Sequence, residues 1–280
     1  MLARSCVYGE RDVAFNFHQI DAFSDQPFAG NPAIVYPLSE WLEAPLMQRI
    51  AAEHNLAETA FVVGAGSRWH IRWFTPQTEV PLCGHATLAA AKVLLDIEGV
   101  DANELVFASL GGELRVRRAG ALLQLDFPSR PVEAVTPAIR EQVADALGQA
   151  LEDVLALTEG GQIQELMAVM ADESSLRTLA PDLAAIAALP GLGLVVTAAG
   201  RESDFVSRYF APAIGINEDP VTGSTHCMLA PYWAERLGSS VLNAQQCSAR
   251  GGHVRCEVKG TRVLLAGHAR HVASGQLLLD

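Results

Sequence analysis

The sequence predicts an α+β fold of two pseudo-symmetric domains, each a mixed, barrel-like sheet around one central helix. Short motifs of the first half recur in the same order about 140 residues later, a period too long for a solenoid. The recurring pairs are RWFTP at 72–76 and RYFAP at 208–212, EVPLCG at 79–84 and EDPVTG at 218–223, and Gly-Gly at 111–112 and 251–252. Each half carries many strand patterns and few helical ones, without the regular βαβ alternation of a dinucleotide-binding fold. Duplicated halves of this kind usually enclose a cleft that binds ligands.

In the first half, strand patterns are interrupted by two helices. Leu42, Leu46 and Ile50 have helical spacing and predict a helix over 41–54. The Ala- and Leu-rich segment 85–95 predicts a helix that is buried inside the sheet rather than laid on it. Strands are expected at 15–23, 33–36, 58–63, 69–74, 104–107, 113–118 and 122–127.

A PSRP segment at 128–131 is the expected hinge to the second half. The counterpart of the Ala-rich helix is expected at 225–237, where Gly238 ends it. The other expected helices and strands of this half are helices at 137–147, 151–155, 172–179 and 182–189, and strands at 166–170, 192–198, 204–210 and in the segment that runs to 279.

Composition excludes several classes of function. The net charge of −12 argues against nucleic acid, which needs a basic surface, and against anionic membranes. Half of the residues are apolar, yet no apolar run is long enough for a membrane span, so a folded cytoplasmic protein is expected. Residues 1–17 lack the apolar core of a signal peptide. Five cysteines without CxxC spacing predict free thiols in a reducing compartment.

The first candidate site is CGHAT at 83–87, at the start of the Ala-rich helix. Gly84 lets the backbone approach a ligand closely, and the free N–H groups of a helix start attract an anion. His85 can orient a substrate or carry a proton, and Cys83 stands beside the same glycine. A plain helix start with a capping histidine gives the same pattern, so the motif alone leaves both interpretations open.

The second candidate site, EDPVTGSTHC at 218–227, has the same design in the second half. Asp219 supplies a carboxylate, and Thr222 and Ser224 supply hydroxyls. Gly223 again lets a ligand approach the backbone at a helix start, although Thr and Ser before a helix are also ordinary N-caps. The pairing favours function, because two helix starts aimed into one cleft hold a carboxylate or an enolate-like anion from both sides.

Glu58 stands in the otherwise apolar strand segment NLAETAFV at 55–62, where a carboxylate suits a proton carrier. A strand residue that faces solvent is the alternative interpretation. Zinc is disfavoured, because the spacing in CGH at 83–85 and HC at 226–227 is not that of ordinary zinc motifs. A phosphate-binding P-loop is excluded, because neither Gly-Gly pair is followed by Lys-Ser/Thr. No metal and no cofactor are therefore expected.

As a set, these motifs resemble the PhzF family of phenazine-biosynthesis-like proteins, within the diaminopimelate-epimerase-like superfamily. The matching stretches are QIDAF at 19–23, GNP at 30–32, ETAFV at 58–62, RWFTP at 72–76, CGHAT at 83–87, EDPVTGS at 218–224 and RGG at 250–252. They cover nearly the whole chain in order, and they are specific for the family but not for one substrate.

The resemblance implies two pseudo-symmetric domains, 1–127 and 128–268, with the active site between them. It also implies that the C-terminal strand, at about 269–280, returns to the first domain. Homodimers are common among such proteins, so a homodimer is expected.

The resemblance also implies site roles. In the phenazine enzyme a glutamate moves a proton during isomerisation of a dihydro-hydroxyanthranilate without a cofactor, and Glu58 occupies its position. The assisting histidine falls on His85, the aspartate on Asp219 and the serine on Ser224. A carboxylate of the substrate is expected at Ser224 and the helix-start amides.

The epimerase relatives instead use two opposed cysteines as acid and base. Cys83 matches the first cysteine, but Thr222 stands at the position of the second. A threonine hydroxyl is a far poorer base than a thiolate, so racemisation by two thiols is doubtful here.

The expected function is a cofactor-independent isomerase of a small carboxylate, in which Glu58 moves a proton between carbons. One alternative is an amino-acid racemase or epimerase that uses Cys83, which a Cys83→Ala variant tests. The other is a non-catalytic module that binds a small carboxylate or another protein through the same cleft. A Glu58 side chain that points to solvent favours this second alternative.

Overall fold

The computed structural model of the protein describes residues 13–279. Most of the segment tested for a signal peptide, together with Cys6 and Asp280, lies outside the described residues. In the first half the elements are β1 (Val13–Ala22), β2 (Asn31–Leu38), α1 (Ala44–His54), β3 (Glu58–Ala65), β4 (Arg68–Phe74), β5 (Glu79–Val80), α2 (Gly84–Lys92), a π-helical turn (Val93–Ile97), β6 (Glu104–Ser109), β7 (Gly112–Ala119) and β8 (Leu122–Pro128).

The second half repeats the order of strands and central helix, with two short helices where the first half has α1. It adds a short strand and a helix before the repeat and one strand after it. Its elements are β9 (Glu133–Ala134), α3 (Pro137–Leu147), β10 (Asp153–Glu159), β11 (Gln162–Val169), α4 (Glu173–Arg177), α5 (Leu183–Ala187), β12 (Gly193–Ala199), β13 (Phe205–Ala211), a 3₁₀ turn (Pro212–Ile214), β14 (Ile216–Asp219), α6 (His226–Leu237), β15 (Val241–Gln246), β16 (Gly252–Lys259), β17 (Arg262–Gly267) and β18 (Ala269–Leu279).

Strand pairing shows that the two halves share one topology. In the first half β2 and β3 are parallel, joined by the crossover helix α1, and β3 pairs antiparallel with β4. In the second half β11 and β12 are parallel and β12 pairs antiparallel with β13. The predicted α+β fold with mixed strand pairing is therefore confirmed.

The last strand of the chain returns to the first half, where β18 pairs antiparallel with β1 along its length. Within the second half, the short strand β9 pairs with β10. β8 also pairs with β17, so one sheet runs through both halves. The pairings between the halves fix their relative position.

The central helices carry the site at their N-terminal ends. The α2 residues 85–91 are all buried, because alanine side chains let surrounding strands approach the helix closely. α2 packs against β1, β2, β3 and β8, and α6 against β15, β16 and β17. α1, α4 and α5 cover the outer faces of β3, β4, β12 and β13.

The predicted helix at 151–155 is wrong. α3 ends at Gly148, which has the left-handed φ of +61° that favours glycine, and Asp153 begins strand β10. Five residues are too few for periodicity to separate a strand from a helix, and pairing with β11 decides. Among residues 13–279 no helix is long and apolar enough to cross a membrane.

Candidate active site

Four chain segments position the candidate residues. Glu58 is the first residue of β3 and follows α1, which ends in the left-handed conformation of Asn55. His85 lies in the first turn of α2. Asp219 is the last residue of β14, and the turn with Thr222 leads into α6. The candidate residues therefore lie at the start of β3, the end of β14 and the starts of α2 and α6.

The starts of the two central helices approach each other closely. A Cβ placed on Gly84 would lie 3.9 Å from the Gly223 Cα and 3.5 Å from the ring of Phe127. Gly223 is buried, whereas the neighbouring Ser224 is exposed. The two glycines thus lie where the halves meet, and Ser224 lies on the solvent side of this contact.

Within the first half, Glu58 and His85 make a close, buried contact. Glu58 Oε2 lies 3.1 Å from His85 Nε2, and the two side chains are 14% and 7% exposed. The angle between the groups is not that of a hydrogen bond, and among the described residues both atoms are buried without a hydrogen-bond partner. Unpaired buried polar atoms cost free energy, so the pair is suited to a ligand that supplies the missing partners.

Electrostatics favour a charged histidine beside a neutral thiol. Burial lowers the pKa of His85, whereas its interactions with Cys83 and Glu58 raise it, and the net pKa lies above the ordinary value. A neutral Cys83 thiol carries no charge, so Glu58 is the charged neighbour that favours protonated His85. Burial, followed by the Glu58 charge, raises the pKa of the Cys83 thiol. Cys83 is therefore neutral at pH 7, and the Glu58 carboxylate supplies the charge that holds His85 protonated.

Glu58, Cys83 and His85 bring one possible ligand atom each within 4.8 Å of one another. Cys83 Sγ lies 3.6 Å from Nδ1 of His85, whereas Glu58 contacts Nε2. The two neighbours of His85 therefore contact different nitrogens of its ring, which point in different directions.

Asp219 is buried and receives a donor on each oxygen. Asn31 Nδ2 donates to Asp219 Oδ1 at 2.9 Å, and the Thr222 hydroxyl donates to Oδ2. Burial raises the pKa of Asp219 to about 6; the His85 charge lowers it, the Glu58 charge raises it and the two hydrogen bonds lower it. Near neutral pH this carboxylate is mostly ionised and accepts hydrogen bonds.

Two residues of the site were missed by sequence reasoning. Asn31 also donates to Val221 O at 2.9 Å and lies 3.3 Å from His85 Nδ1, so one amide joins both halves. Gln246 hydrogen-bonds to Thr222 and Asp219 from the end of β15. The GNP turn was a signal for Asn31, whereas Gln246 sits in a strand with no sequence signal.

The position that corresponds to Glu58 in the second half is Gly193. Thr59 pairs with Phe74 of the repeated motif and Leu194 pairs with Phe210, so the residues before them correspond. A Cβ on Gly193 would lie 2.5 Å from the Tyr209 hydroxyl oxygen, so the tyrosine occupies this space. The two halves thus share a backbone but differ in chemistry.

Comparisons with known proteins identify the family, and they confirm the resemblance. The family profile described as phenazine biosynthesis-like protein matches residues 20–275. A Pseudomonas aeruginosa protein named an uncharacterized isomerase is 53% identical over 268 residues, which are 96% of this chain and 100% of that protein. The crystal structure of a PhzF-family phenazine biosynthesis protein from Enterococcus faecalis has a TM-score of 0.87 and 42% identity, covering 95% of this chain and 100% of that one.

The fold extends to more distant proteins. A hydroxyproline epimerase from Agrobacterium vitis has a TM-score of 0.56 and 10% identity, and the match covers 95% of this chain and 93% of that one. This likeness concerns the fold alone, which is diaminopimelate-epimerase-like. From its motifs, its two-fold repeated sheet and the matching profile, the chain belongs to the phenazine biosynthesis-like family, PhzC-PhzF.

Proposed function

We propose that the protein is a cofactor-independent isomerase that moves a proton between two carbons of a small carboxylate. The observation that carries this proposal is the Glu58–His85 contact, buried beside Asp219 where the two helix starts meet. A relative that matches 96% of the chain is named an isomerase. The substrate class that the family resemblance suggests is a dihydro-hydroxyanthranilate-like carboxylate.

In the proposed reaction Glu58 is the base. Its carboxylate takes a carbon-bound proton, and the C–H electron pair moves into the conjugated system of the substrate. The protonated Glu58 then returns the proton at the other end of that system, so nothing is oxidised or reduced. General acid–base catalysis by one positioned side chain contributes about 10²- to 10⁴-fold.

The other groups hold the substrate and its transient negative charge. The N–H groups at the two helix starts, with Ser224, bind the substrate carboxylate, because helix N-termini favour anions. Protonated His85 lies beside Glu58 and stabilises the enolate-like charge. Asp219 accepts a hydrogen bond from an amino or hydroxyl group of the substrate.

The difference between the halves supports one base rather than two. Gly193 stands at the position that corresponds to Glu58, and Thr222 at the position that corresponds to Cys83. Burial keeps the Cys83 thiol neutral. A racemase needs an acid and a base on opposite sides of one carbon, and the second half offers neither a thiol nor a carboxylate at these positions.

Two variants test the proposal. Glu58→Gln keeps the size and polarity of the side chain but cannot accept the proton, so we expect turnover of a dihydro-hydroxyanthranilate to fall at least about 10³-fold. Cys83→Ala should retain most of the turnover. Proton NMR of the substrate follows both, and calorimetry checks that Glu58→Gln still binds it.

The alternatives predict other outcomes. Loss of activity in Cys83→Ala, with retained activity in Glu58→Gln and racemisation of an amino acid, indicates the racemase. Binding of small carboxylates without turnover by the wild-type protein, across alicyclic and aromatic amino acids, indicates a non-catalytic module. Either result overturns the proposal.

A further inference from the structure

Gln246 is a fully buried amide behind the candidate site, and every polar group of its side chain is engaged. Its Oε1 accepts a hydrogen bond from Thr222 N at 2.9 Å. Its Nε2 donates to Asp219 O at 2.9 Å and to Thr222 Oγ1 at 3.1 Å. The two backbone partners fix the orientation of the amide, because an N–H needs an acceptor and a carbonyl needs a donor.

This fixed orientation determines where the Thr222 hydroxyl proton points. A hydroxyl has one hydrogen to donate, and Nε2 of Gln246 can only donate. Thr222 Oγ1 must therefore accept from Gln246 and give its own proton to the other neighbour, Asp219 Oδ2. With the Asn31 amide on Oδ1, each Asp219 oxygen then has one donor.

We propose that Gln246 is a positioning residue of the active site, which turns the Thr222 hydroxyl onto Asp219 and so keeps Asp219 an ionised, accepting carboxylate. Insofar as the proposed function holds, this explains why the substrate group that meets Asp219 is a hydrogen-bond donor, an amine or a hydroxyl. A carbonyl or ether at that position would face a carboxylate with no proton to give.

The charges around Asp219 come from three other elements. His85 of α2 lowers the pKa of Asp219 and Glu58 of β3 raises it. Tyr209 of β13 pairs with Asp219 across the sheet, and its phenol stays neutral because burial raises its pKa far above the usual value. Within residues 13–279, the groups that contact Asp219 directly and stabilise its ionised form are the Asn31 and Thr222 donors, so removal of one should change the Asp219 pKa measurably.

The test is a carboxyl titration that needs no substrate. The aspartate carboxyls are labelled with ¹³C, and the NMR signal that disappears in the Asp219→Asn variant is assigned to Asp219. The pKa of Asp219 in the wild type is expected at about 6. Gln246→Glu cannot donate to Thr222 and draws its hydroxyl away, so we expect the pKa of Asp219 to rise by about one or more. The matched control is Gln245→Glu, whose side chain lies beside Arg177, and it should leave the Asp219 pKa unchanged.

A second pair of variants acts without changing Gln246. Thr222→Val removes the hydroxyl at nearly constant volume and should raise the pKa of Asp219, as Gln246→Glu does. Thr222→Ser keeps the hydroxyl and should leave the pKa of Asp219 at its wild-type value. An Asp219 pKa that is unchanged in Thr222→Val, or raised equally by Gln245→Glu and Gln246→Glu, overturns the proposal. Because the titration is measured without substrate, its result does not depend on the turnover measurements on the Glu58 and Cys83 variants, and each proposal can fail separately.

Discussion

At the scale of single residues, the site depends on a few buried polar groups that bind to each other across the two halves. Asn31 is the most connected of them, since one amide reaches Asp219, Val221 and the neighbourhood of His85. Asn31 is wholly buried, so a water molecule can take over its hydrogen bonds only if a cavity forms in its place. Asn31 is therefore expected to affect both the stability of the protein and the orientation of Asp219.

Replacing Asn31 should affect both properties. Asn31→Ala leaves Asp219 Oδ1 and Val221 O without their donor, and we expect a loss of about 2–4 kcal/mol in the free energy of unfolding. Turnover should fall about 10- to 100-fold, because Asp219 loses its orientation. Urea unfolding and activity measurements check this.

The control for Asn31 is Asn16→Ala on β1, where the asparagine is exposed and only accepts a bond from Gln276. It should change stability by less than about 0.5 kcal/mol. Equal losses in the two variants would contradict the role given to Asn31.

The sequence could indicate the candidate reactive groups but not the residues that hold them in place. Glu58, His85 and Asp219 stand in motifs whose repetition and helix-start glycines are visible in the chain itself. Gln246 has no such signal, because its role arises only when β15 comes beside the turn before α6. Hydrogen bonds between segments more than 20 residues apart in the chain depend on strand register, which local patterns do not determine.

At the scale of elements, equivalent strands carry different chemistry. Glu165 of β11 pairs with Gly193 of β12, and the Tyr209 hydroxyl reaches over that glycine to Glu165, 3.0 Å from each carboxylate oxygen. The absence of a side chain at Gly193 makes room for the phenol. The second half thus uses the position that corresponds to Glu58 for a buried Tyr–Glu contact.

A methyl group at Gly193 should therefore destabilise the fold. In Gly193→Ala the new Cβ meets the Tyr209 hydroxyl oxygen at 2.5 Å and the Phe210 carbonyl at 2.8 Å, so the strand or the ring must move. We expect a cost of about 1–3 kcal/mol, measured by thermal unfolding.

Gly84→Ala is the control for Gly193→Ala, because its Cβ meets nothing nearer than the Phe127 ring at 3.5 Å. Its stability should be unchanged or slightly higher, since alanine favours a helix over glycine. A larger loss in Gly84→Ala than in Gly193→Ala would contradict the steric account.

At the scale of the whole molecule, the returning C-terminal strand and an arginine that bonds across the halves hold the two halves together. β18 pairs with β1, and Arg250 of the second half bonds to buried Asp21 at 2.8 Å and to Gly30 O at 2.8 Å, next to Asn31. Residues that meet in the site are thus fixed by contacts outside it. Assembly into a homodimer stays a prediction, which sedimentation velocity tests.

Buried Glu165 gives the molecule a pH-dependent stability. Burial raises its pKa to about 7, against an ordinary value of 4.5, despite the Tyr209 hydrogen bond. The folded state therefore holds a proton that the unfolded state releases above pH 4.5, so this contribution is complete at low pH and is lost as pH rises through about 7. The shift corresponds to about 3 kcal/mol.

The comparison is between wild type and Glu165→Gln, with unfolding free energies measured from pH 5 to pH 8. Wild type should lose about 2–3 kcal/mol more than the variant over this range, since a glutamine side chain does not titrate. Glu159→Gln, which removes an exposed carboxylate that pairs with Arg130, should behave like wild type. Parallel curves for Glu165→Gln and wild type would show that Glu165 is not protonated in the folded state.

The central claim is that one carboxyl group, Glu58, carries the proton. Its most direct measurement is proton exchange in D₂O, followed by NMR of the substrate carbons with the wild type and with Glu58→Gln. The account predicts that the wild type moves a proton to the receiving carbon, with deuterium there to the extent that protonated Glu58 exchanges with D₂O before it returns the proton. It also predicts that Glu58→Gln binds substrate but neither transfers nor exchanges a carbon-bound proton. Exchange that continues in Glu58→Gln at the wild-type rate would contradict it and assign the proton transfer to another group.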